Sequence, residues 1–336
     1  MREPVVTVLG GGSWGTAVAS IAARNGPTVL WARSEQTVAD INDRHVNSRY
    51  LDQLALHPSL TATSDLQAAV GRADVLVLGV PSQGCRAILT ELADDLRPWV
   101  PVVSLVKGLE QGTRLRITQV VGQVLPGHPV GMLSGPNIAR EVAAGFAAAA
   151  TLAMPDQSQA EALQHLLSAT MFRVYTSTDV VGTELGGALK NVFAIATGIG
   201  DGLDAGDNTR AMVITRSLRE MTRLGVAMGG DPLTFTGLAG MGDLITTCTS
   251  PFSRNRRVGI RLAQGRTLEQ IADELKQVAE GVKASSVVMQ LAAQYGVEMR
   301  IASEVDAVIK DNQPVEAAYR GLLRERPEHE FHGAGW

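Results

Sequence analysis

The residues best suited to chemistry begin with Gly10-Gly11-Gly12-Ser13-Trp14-Gly15, in which glycines fall at the spacing GxGxxG. The apolar, β-branched run Val5-Val6-Thr7-Val8-Leu9 precedes them, and the small, apolar run Thr16 to Ala23 follows. Strand, glycine turn and helix in that order predict a dinucleotide site. Gly10 permits the tight turn, Gly12 lets a pyrophosphate approach the backbone, and Gly15 lets helix pack close to strand. The helix N-terminus adds N–H groups and partial positive charge for the phosphates. A glycine-rich turn that only packs closely is the alternative, and the flanking strand and helix weigh against it.

The next predicted strand, Thr28-Val29-Leu30-Trp31, ends in Ala32-Arg33-Ser34. A site built for NAD would place a carboxylate there to bond the ribose 2′-hydroxyl; a guanidinium pairs instead with a 2′-phosphate. Arg33 therefore favours NADP(H), and Glu35 close by keeps NAD(H) open.

Further clusters follow. Pro81, Lys107 and Gly135-Pro136-Asn137 stand at predicted strand ends, where open α/β sheets bind their ligands. Lys190 and Asn191 interrupt an otherwise small and apolar helical run, Gly186 to Ala196. A helix apolar all round is buried, and a buried lysine is costly unless used. Desolvation lowers a lysine pKa, which suits a general acid or base near neutral pH. Asp243 follows the glycine run 237–242, placed to hold an ammonium or a substrate hydroxyl. Ser253-Arg254-Asn255 gathers hydroxyl, guanidinium and amide donors, which is phosphate-binding chemistry. The plainer readings are a solvated lysine at 107, a snorkelling lysine at 190 and a basic turn at 253–255.

The elements that must hold these groups are strands alternating with helices. Apolar runs at 74–80, 100–105, 130–136, 147–153 and 172–175 read as strands, with helices at 65–70 and 88–96. Such alternation predicts an open parallel sheet covered on both faces. The stretch 36–60 is polar and shows no clear element. Beyond about residue 180 the pattern turns helical. Asn208 to Thr222 keeps Ala211, Ile214, Leu218 and Met221 on one face. Thr267 with Gln270 forms a capping box, and helices follow at 287–294 and 315–323. The expected division is residues 1–180 and 181–336.

The chain has 336 residues, 45% hydrophobic and 19% charged, with net charge −4. That length suits two domains, and the charge gives no basis for binding nucleic acid. Two cysteines, Cys85 and Cys248, provide neither a disulfide framework nor a zinc spacing, and Cys248 reads as packing. Six histidines show no metal-ligand pattern. No secretory signal or membrane-spanning run is expected, which suits a protein of the cytoplasm.

Eight blocks in order resemble the bacterial-type NAD(P)-dependent glycerol-3-phosphate dehydrogenases. They are GGGSWGTA (10–17), VKGLE (106–110), SGPNIAREV (134–142), ELGGALKN (184–191), DGLDAGDNTRA (201–211), GLAGMGDLITTCTS (237–250), SRNRRVG (253–259) and AEGVKA (279–284). The resemblance implies a Rossmann-like, doubly wound N-terminal domain and a mostly α-helical C-terminal domain, as in the 6-phosphogluconate-dehydrogenase-like fold. It implies reduction of dihydroxyacetone phosphate to sn-glycerol 3-phosphate, feeding phospholipid synthesis. Ser13, Trp14, Arg33, Lys107, Ala139, Arg254, Val278 and Glu280 match cofactor contacts, with the loop glycines Gly10, Gly12 and Gly15. Lys107, Gly135, Asn137, Lys190, Asp243, Ser253, Arg254 and Asn255 match substrate contacts, and Lys190 matches the catalytic lysine. Asn137 stands where the family more often carries Ser or Thr, and Ser34 where some members carry a ring. The partners implied are a small phosphorylated substrate and, at most, a second copy in a homodimer. Two other readings are a related β-hydroxyacid dehydrogenase, which the SRN and GMGDL runs disfavour, and an NADP-binding sensor, which leaves Lys190 and Asp243 unexplained.

Overall fold

The computed structural model describes residues 2–275 and 279–321. They fall into two compact units, Met1–Glu110 with Leu115–Val180, and Gln111–Arg114 with the described residues from Val181 onward.

In the first unit the strands are β1 Val6–Leu9, β2 Thr28–Trp31, β3 Leu60–Thr63, β4 Val75–Leu78, β5 Val102–Ser104, β6 Val130–Ser134, β7 Ala148–Ala153 and β8 Phe172–Ser177. They form one sheet in the order β3-β2-β1-β4-β5-β6-β7-β8. The first six follow the doubly wound Rossmann order, with the reversal between β1 and β4. Its helices are α1 Ser13–Ala22, α2 Glu35–Arg44, α3 Ser48–Leu51, α4 Leu66–Val70, α5 Cys85–Leu92, α6 Ile117–Val124, α7 Ala139–Ala143 and α8 Gln157–Leu167.

Two apolar clusters show why these strands are nearly continuous in hydrophobic residues. Val6, Val8, Val75 and Val77 pack into one, with Val18 and Ile21 of α1 and Leu163 of α8. Leu9, Leu76 and Leu78 pack into the other, with Leu89 of α5 and Val120 of α6. Alternate residues point to opposite faces, and helices cover both. Each such burial is worth about 1.5–3 kcal/mol, more than the roughly 1 kcal/mol span of strand propensities, so burial decides the strand.

The sheet departs from an all-parallel expectation at one place: β7 runs antiparallel to β6. The connection between them carries only α7, five residues long. At 1.5 Å per residue that helix is too short to carry the chain back along a five-residue strand, so the chain returns in the opposite sense. The polar stretch 36–60 is not featureless, since it holds α2, α3 and the start of β3. Only Thr37, Asp40 and Ile41 of α2 are buried, too few for a clear period. The helices α6 and α8 were likewise not anticipated, and the helix expected at 88–96 starts earlier, at Cys85.

The second unit is helical among the described residues: α9 Val180–Gly202, α10 Gly206–Ala227, α11 Pro232–Thr236, a single π turn Leu238–Gly242, α12 Asp243–Thr249, α13 Arg254–Ala263, α14 Leu268–Leu275, α15 Glu280–Tyr295, α16 Arg300–Lys310 and α17 Val315–Gly321. The Thr267–Gln270 capping box forms, the Thr267 N–H donating to Oε1 at 3.1 Å and Oγ1 accepting from the Gln270 N–H at 3.3 Å. The face assigned to α10 needs correction. Its buried residues are Val213, Ser217, Glu220, Met221, Thr222, Leu224 and Gly225, whereas Ala211 is exposed and Ile214 and Leu218 are half-buried. The helix turns polar Ser217 and Glu220 inward, which an apolar periodicity cannot register. None of the described helices is long and apolar enough to cross a membrane.

Candidate active site

In the first unit, α1 starts at Gly12 with no side-chain cap, so its first N–H groups have no side-chain acceptor. A Cβ on Gly12 would meet nothing within 4 Å. That open space beside uncapped N–H groups fits a dinucleotide pyrophosphate. Gly10 has φ +119°, and a Cβ there would meet the Gly79 carbonyl oxygen at 2.6 Å. A Cβ on Gly15 would meet the Gly10 carbonyl oxygen at 2.2 Å, so its close packing is against the turn itself rather than against β1.

The segment 47–50 braces this loop. Asn47 Nδ2 donates to the Gly11 carbonyl at 2.9 Å and to Thr16 Oγ1 at 2.8 Å, and Ser13 Oγ donates to the Tyr50 carbonyl at 3.3 Å. Asn47 lies in the stretch that showed no pattern, and no spacing marks it. Trp14 meets Phe172 edge-on, with ring centroids 5.9 Å apart. Its Nε1 and the Oδ1 of Asn47 are buried without a hydrogen-bond partner, leaving a donor and an acceptor for a bound molecule. Arg33 is exposed just past β2. Ser34 caps α2, accepting from the Thr37 N–H at 3.4 Å, so a guanidinium stands beside a helix N-terminus. Both favour a phosphate there.

Past the ends of β5 and β6, Lys107 Nζ donates to the Gly135 carbonyl at 2.8 Å. A Cβ on Gly135 would meet the Ala149 carbonyl oxygen at 2.8 Å, so only glycine fits beside β7. Asn137 Nδ2 donates to that same carbonyl at 2.9 Å, and its buried Oδ1 has no partner. Ala139 opens α7. Lys107, Gly135 and Asn137 thus come together.

The second unit assembles the other group. Lys190, 5% exposed in the middle of α9, donates to Asp243 Oδ1 and to Thr247 Oγ1, the latter at 2.7 Å. Asp243 is 1% exposed, and Thr247 Oγ1 donates in turn to the Asp243 carbonyl at 2.7 Å. The local backbone explains the meeting. The Gly242 N–H bonds the Gly237 carbonyl at 3.0 Å, closing a π turn that leads into α12. That turn presses on α9 at Gly186, where a Cβ would meet the Ala239 carbonyl oxygen at 2.4 Å. Gly186 lies one helical turn before Lys190, so the close approach delivers Asp243 to the ammonium. Thr247 was not anticipated; its signal was the i, i+4 spacing from Asp243, which puts both on one helix face.

A second chain of bonds runs from the neighbouring residue. Asn255 Nδ2 donates to Asn191 Oδ1 at 2.8 Å, and Asn255 Oδ1 accepts from the Gly281 N–H at 3.0 Å. Ser253 is the N-cap of α13, its hydroxyl oxygen accepting from the Arg256 N–H at 3.3 Å, which commits part of its capacity to the helix. Arg254 is exposed at the first position of that helix, and Glu280 is half-buried at the first position of α15. Val278 lies outside the described residues. Cys248 is buried, and that burial raises its thiol to about 11, so it stays protonated at neutral pH. Among the described residues no group of histidine, cysteine and carboxylate side chains has the makings of a metal site.

Two family profiles cover nearly the whole chain. Residues 5–160 match the NAD-dependent glycerol-3-phosphate dehydrogenase N-terminus, and residues 179–320 match its C-terminus. The chain belongs to the NAD-dependent glycerol-3-phosphate dehydrogenase family. It is 63% identical to the glycerol-3-phosphate dehydrogenase [NAD(P)+] of Mycobacterium avium, across all of this chain and 99% of that one. Identity to glycerol-3-phosphate dehydrogenase [NAD(P)+] 1 of Mycobacterium tuberculosis H37Rv is 62%, across all of this chain and 98% of that one. The crystal structure of glycerol-3-phosphate dehydrogenase from Coxiella burnetii superposes with a TM-score of 0.91 at 36% identity, covering 96% of this chain and 99% of that one.

Proposed function

We propose that this protein reduces dihydroxyacetone phosphate to sn-glycerol 3-phosphate and runs the reverse reaction, with NADPH favoured and NADH accepted. The observation that carries the proposal is the buried Lys190–Asp243 pair in a chain of this family. A buried ammonium is retained against its desolvation cost only where it is paired, and a paired, buried lysine is suited to give and take a proton.

NAD(P)H, when bound, would supply the hydride that reduces the substrate's carbonyl carbon. Lys190 gives a proton to the carbonyl oxygen as negative charge grows there, and recovers it from the hydroxyl in the oxidative direction. Asp243 and Thr247 fix the Nζ position by their hydrogen bonds. Lys107 adds positive charge near the substrate, with Gly135 and Asn137 beside it. Ser253, Arg254 and Asn255 take the phosphate, and its binding energy aligns the reacting end. Gly10, Gly12, Ser13, Trp14, Gly15, Arg33, Lys107, Ala139, Arg254, Val278 and Glu280 hold the cofactor. The product's use in phospholipid synthesis and a cytoplasmic location belong to the same proposal; two free thiols suit a reducing compartment.

Absorbance at the nicotinamide band, followed with dihydroxyacetone phosphate and NADPH or NADH in turn, tests the proposal. Oxidation that requires the phosphorylated ketone supports it, and the two rates rank the cofactors. Cofactor binding without oxidation sinks it.

A further inference from the structure

Among the carboxylates the mechanism leaves unused, one is bonded to the helix that carries residues 253–255. Asp201 lies in the last turn of α9, eleven residues after Lys190 and therefore three turns along on nearly the same face. Its side chain is 8% exposed and receives two guanidinium groups. Arg256 Nε donates to Oδ2 at 2.6 Å, and Arg210 Nε donates to Oδ1 at 2.8 Å. Arg210, on α10, also pairs with the exposed Asp207. Arg256 has no second carboxylate among the described residues, and its side chain is only 18% exposed.

The position of Arg256 gives this contact its meaning. It follows Arg254 and Asn255 directly on α13, and its own N–H donates to the Ser253 cap. The seam between α9 and α13 is lined with glycine: a Cβ on Gly198 would meet the Arg256 carbonyl oxygen at 2.0 Å, and one on Gly259 would meet the Ile195 carbonyl oxygen at 2.1 Å. Backbone meets backbone at these two glycines. Polar side chains add ties on either side of residues 253–255. Lys190–Asp243 ties the middle of α9 to the start of α12, and Asp201–Arg256 ties the C-terminal end of α9 to the first turn of α13. Residues 253–255 lie between these two ties.

We propose that Asp201 is a positioning residue for the phosphate end of the substrate, acting through Arg256. It touches neither substrate nor cofactor; it holds the first turn of α13 at a fixed distance and rotation from Lys190. The proposal rests on the reading that residues 253–255 take the phosphate.

Asp201→Asn keeps the shape and removes the charge. The KM for dihydroxyacetone phosphate is expected to rise about tenfold or more, since small misplacement of a binding group carries costs of that order. The inhibition constant of inorganic phosphate, competing with that substrate, should rise in proportion, while kcat and the KM for NADPH stay within about threefold. Arg256→Gln should reproduce the effect, Arg256→Lys should recover part of it, and Asp201→Asn with Arg256→Gln should be no worse than Arg256→Gln alone. If Asp201→Asn does not fold, the Arg256 pair carries the test. A folded Asp201→Asn enzyme with unchanged KM and phosphate inhibition overturns the proposal, as does a fall in kcat alone. A wild-type protein that turns over dihydroxyacetone phosphate but is not inhibited by phosphate overturns the phosphate reading and this proposal with it. A wild type inactive on dihydroxyacetone phosphate overturns the function as well.

Discussion

Lys190 shows how one residue carries both stability and chemistry. Removing one partner of a buried ion pair leaves an uncompensated charge and costs about 3–5 kcal/mol. Lys190→Ala should therefore lose most turnover and also melt lower, because Asp243, 1% exposed, is left without its ammonium. Turnover measured well below the new melting transition, with NADPH binding followed by fluorescence, separates the two effects. Retained turnover in a folded variant excludes Lys190 as the proton donor. Arg33 is the opposite case: exposed, it contributes little to the fold, so Arg33→Asp should leave stability near the usual surface range of about ±0.5 kcal/mol. Its expected effect is on selection. NADPH should weaken more than NADH, because a carboxylate repels the 2′-phosphate that a guanidinium pairs. Equal losses for both cofactors would remove the 2′-phosphate argument. The types of both residues were legible in the sequence, one as a charge inside an apolar helix and the other as a cation at a strand end. Thr247 showed only its i, i+4 spacing from Asp243; that it meets Lys190 across 57 positions, or that Asp201 meets Arg256 across 55, no local pattern announces.

At the scale of elements, legibility followed burial. The strand β2 was readable to its ends because Gly26-Pro27 precedes it and its apolar run is continuous. The helix α2 was not, since it is capped by Ser34 and ended by His45 in the left-handed conformation, with no glycine stop and few buried residues. The direction of β7 was also hidden, because strand composition carries no sense of direction. Glycine in α9 had a meaning that sequence alone blurs. At Gly198 a Cβ would drive into the Arg256 carbonyl, whereas at Gly200 the nearest atom, Ala205 Cβ, is 4.0 Å away. Gly198→Ala should thus destabilise by about 1–3 kcal/mol through overpacking. Gly200→Ala should be neutral or stabilising by up to about 1 kcal/mol through helix propensity. The denaturant midpoint should fall for Gly198→Ala and hold or rise for Gly200→Ala; equal shifts would mean that the α9–α13 seam is not close-packed at Gly198.

At the scale of the whole molecule, the two-part plan was legible because continuous apolar strands give way to helical periodicity near residue 180, whereas the inward turn of α10 was not. Glu220 explains that failure and carries a consequence for stability. It is 4% exposed, and its carboxylate accepts from the Ile301 N–H at 2.8 Å and the Ala302 N–H at 3.3 Å, at the start of α16. The α16 N-terminus therefore satisfies a polar group on the inward face of α10, which is why that face need not be apolar. Burial pushes the Glu220 carboxyl up to about 7, against the opposing pull of those N–H groups and of the Arg223 guanidinium. A carboxyl whose folded pKa is raised binds its proton more tightly in the folded state than in the unfolded one. Its contribution is thus complete below the unfolded value near 4.5 and is lost as pH rises through about 7. Over that window the loss amounts to about 3 kcal/mol. Glu220→Gln cannot titrate and resembles the protonated carboxyl, so its unfolding free energy should fall less between pH 5 and 8 than that of the wild type, the two curves separating toward the alkaline side. Denaturant unfolding of both proteins across that range measures the difference. Parallel curves would show that Glu220 does not change its protonation on folding, and that the helix N-terminus holds it as a carboxylate throughout.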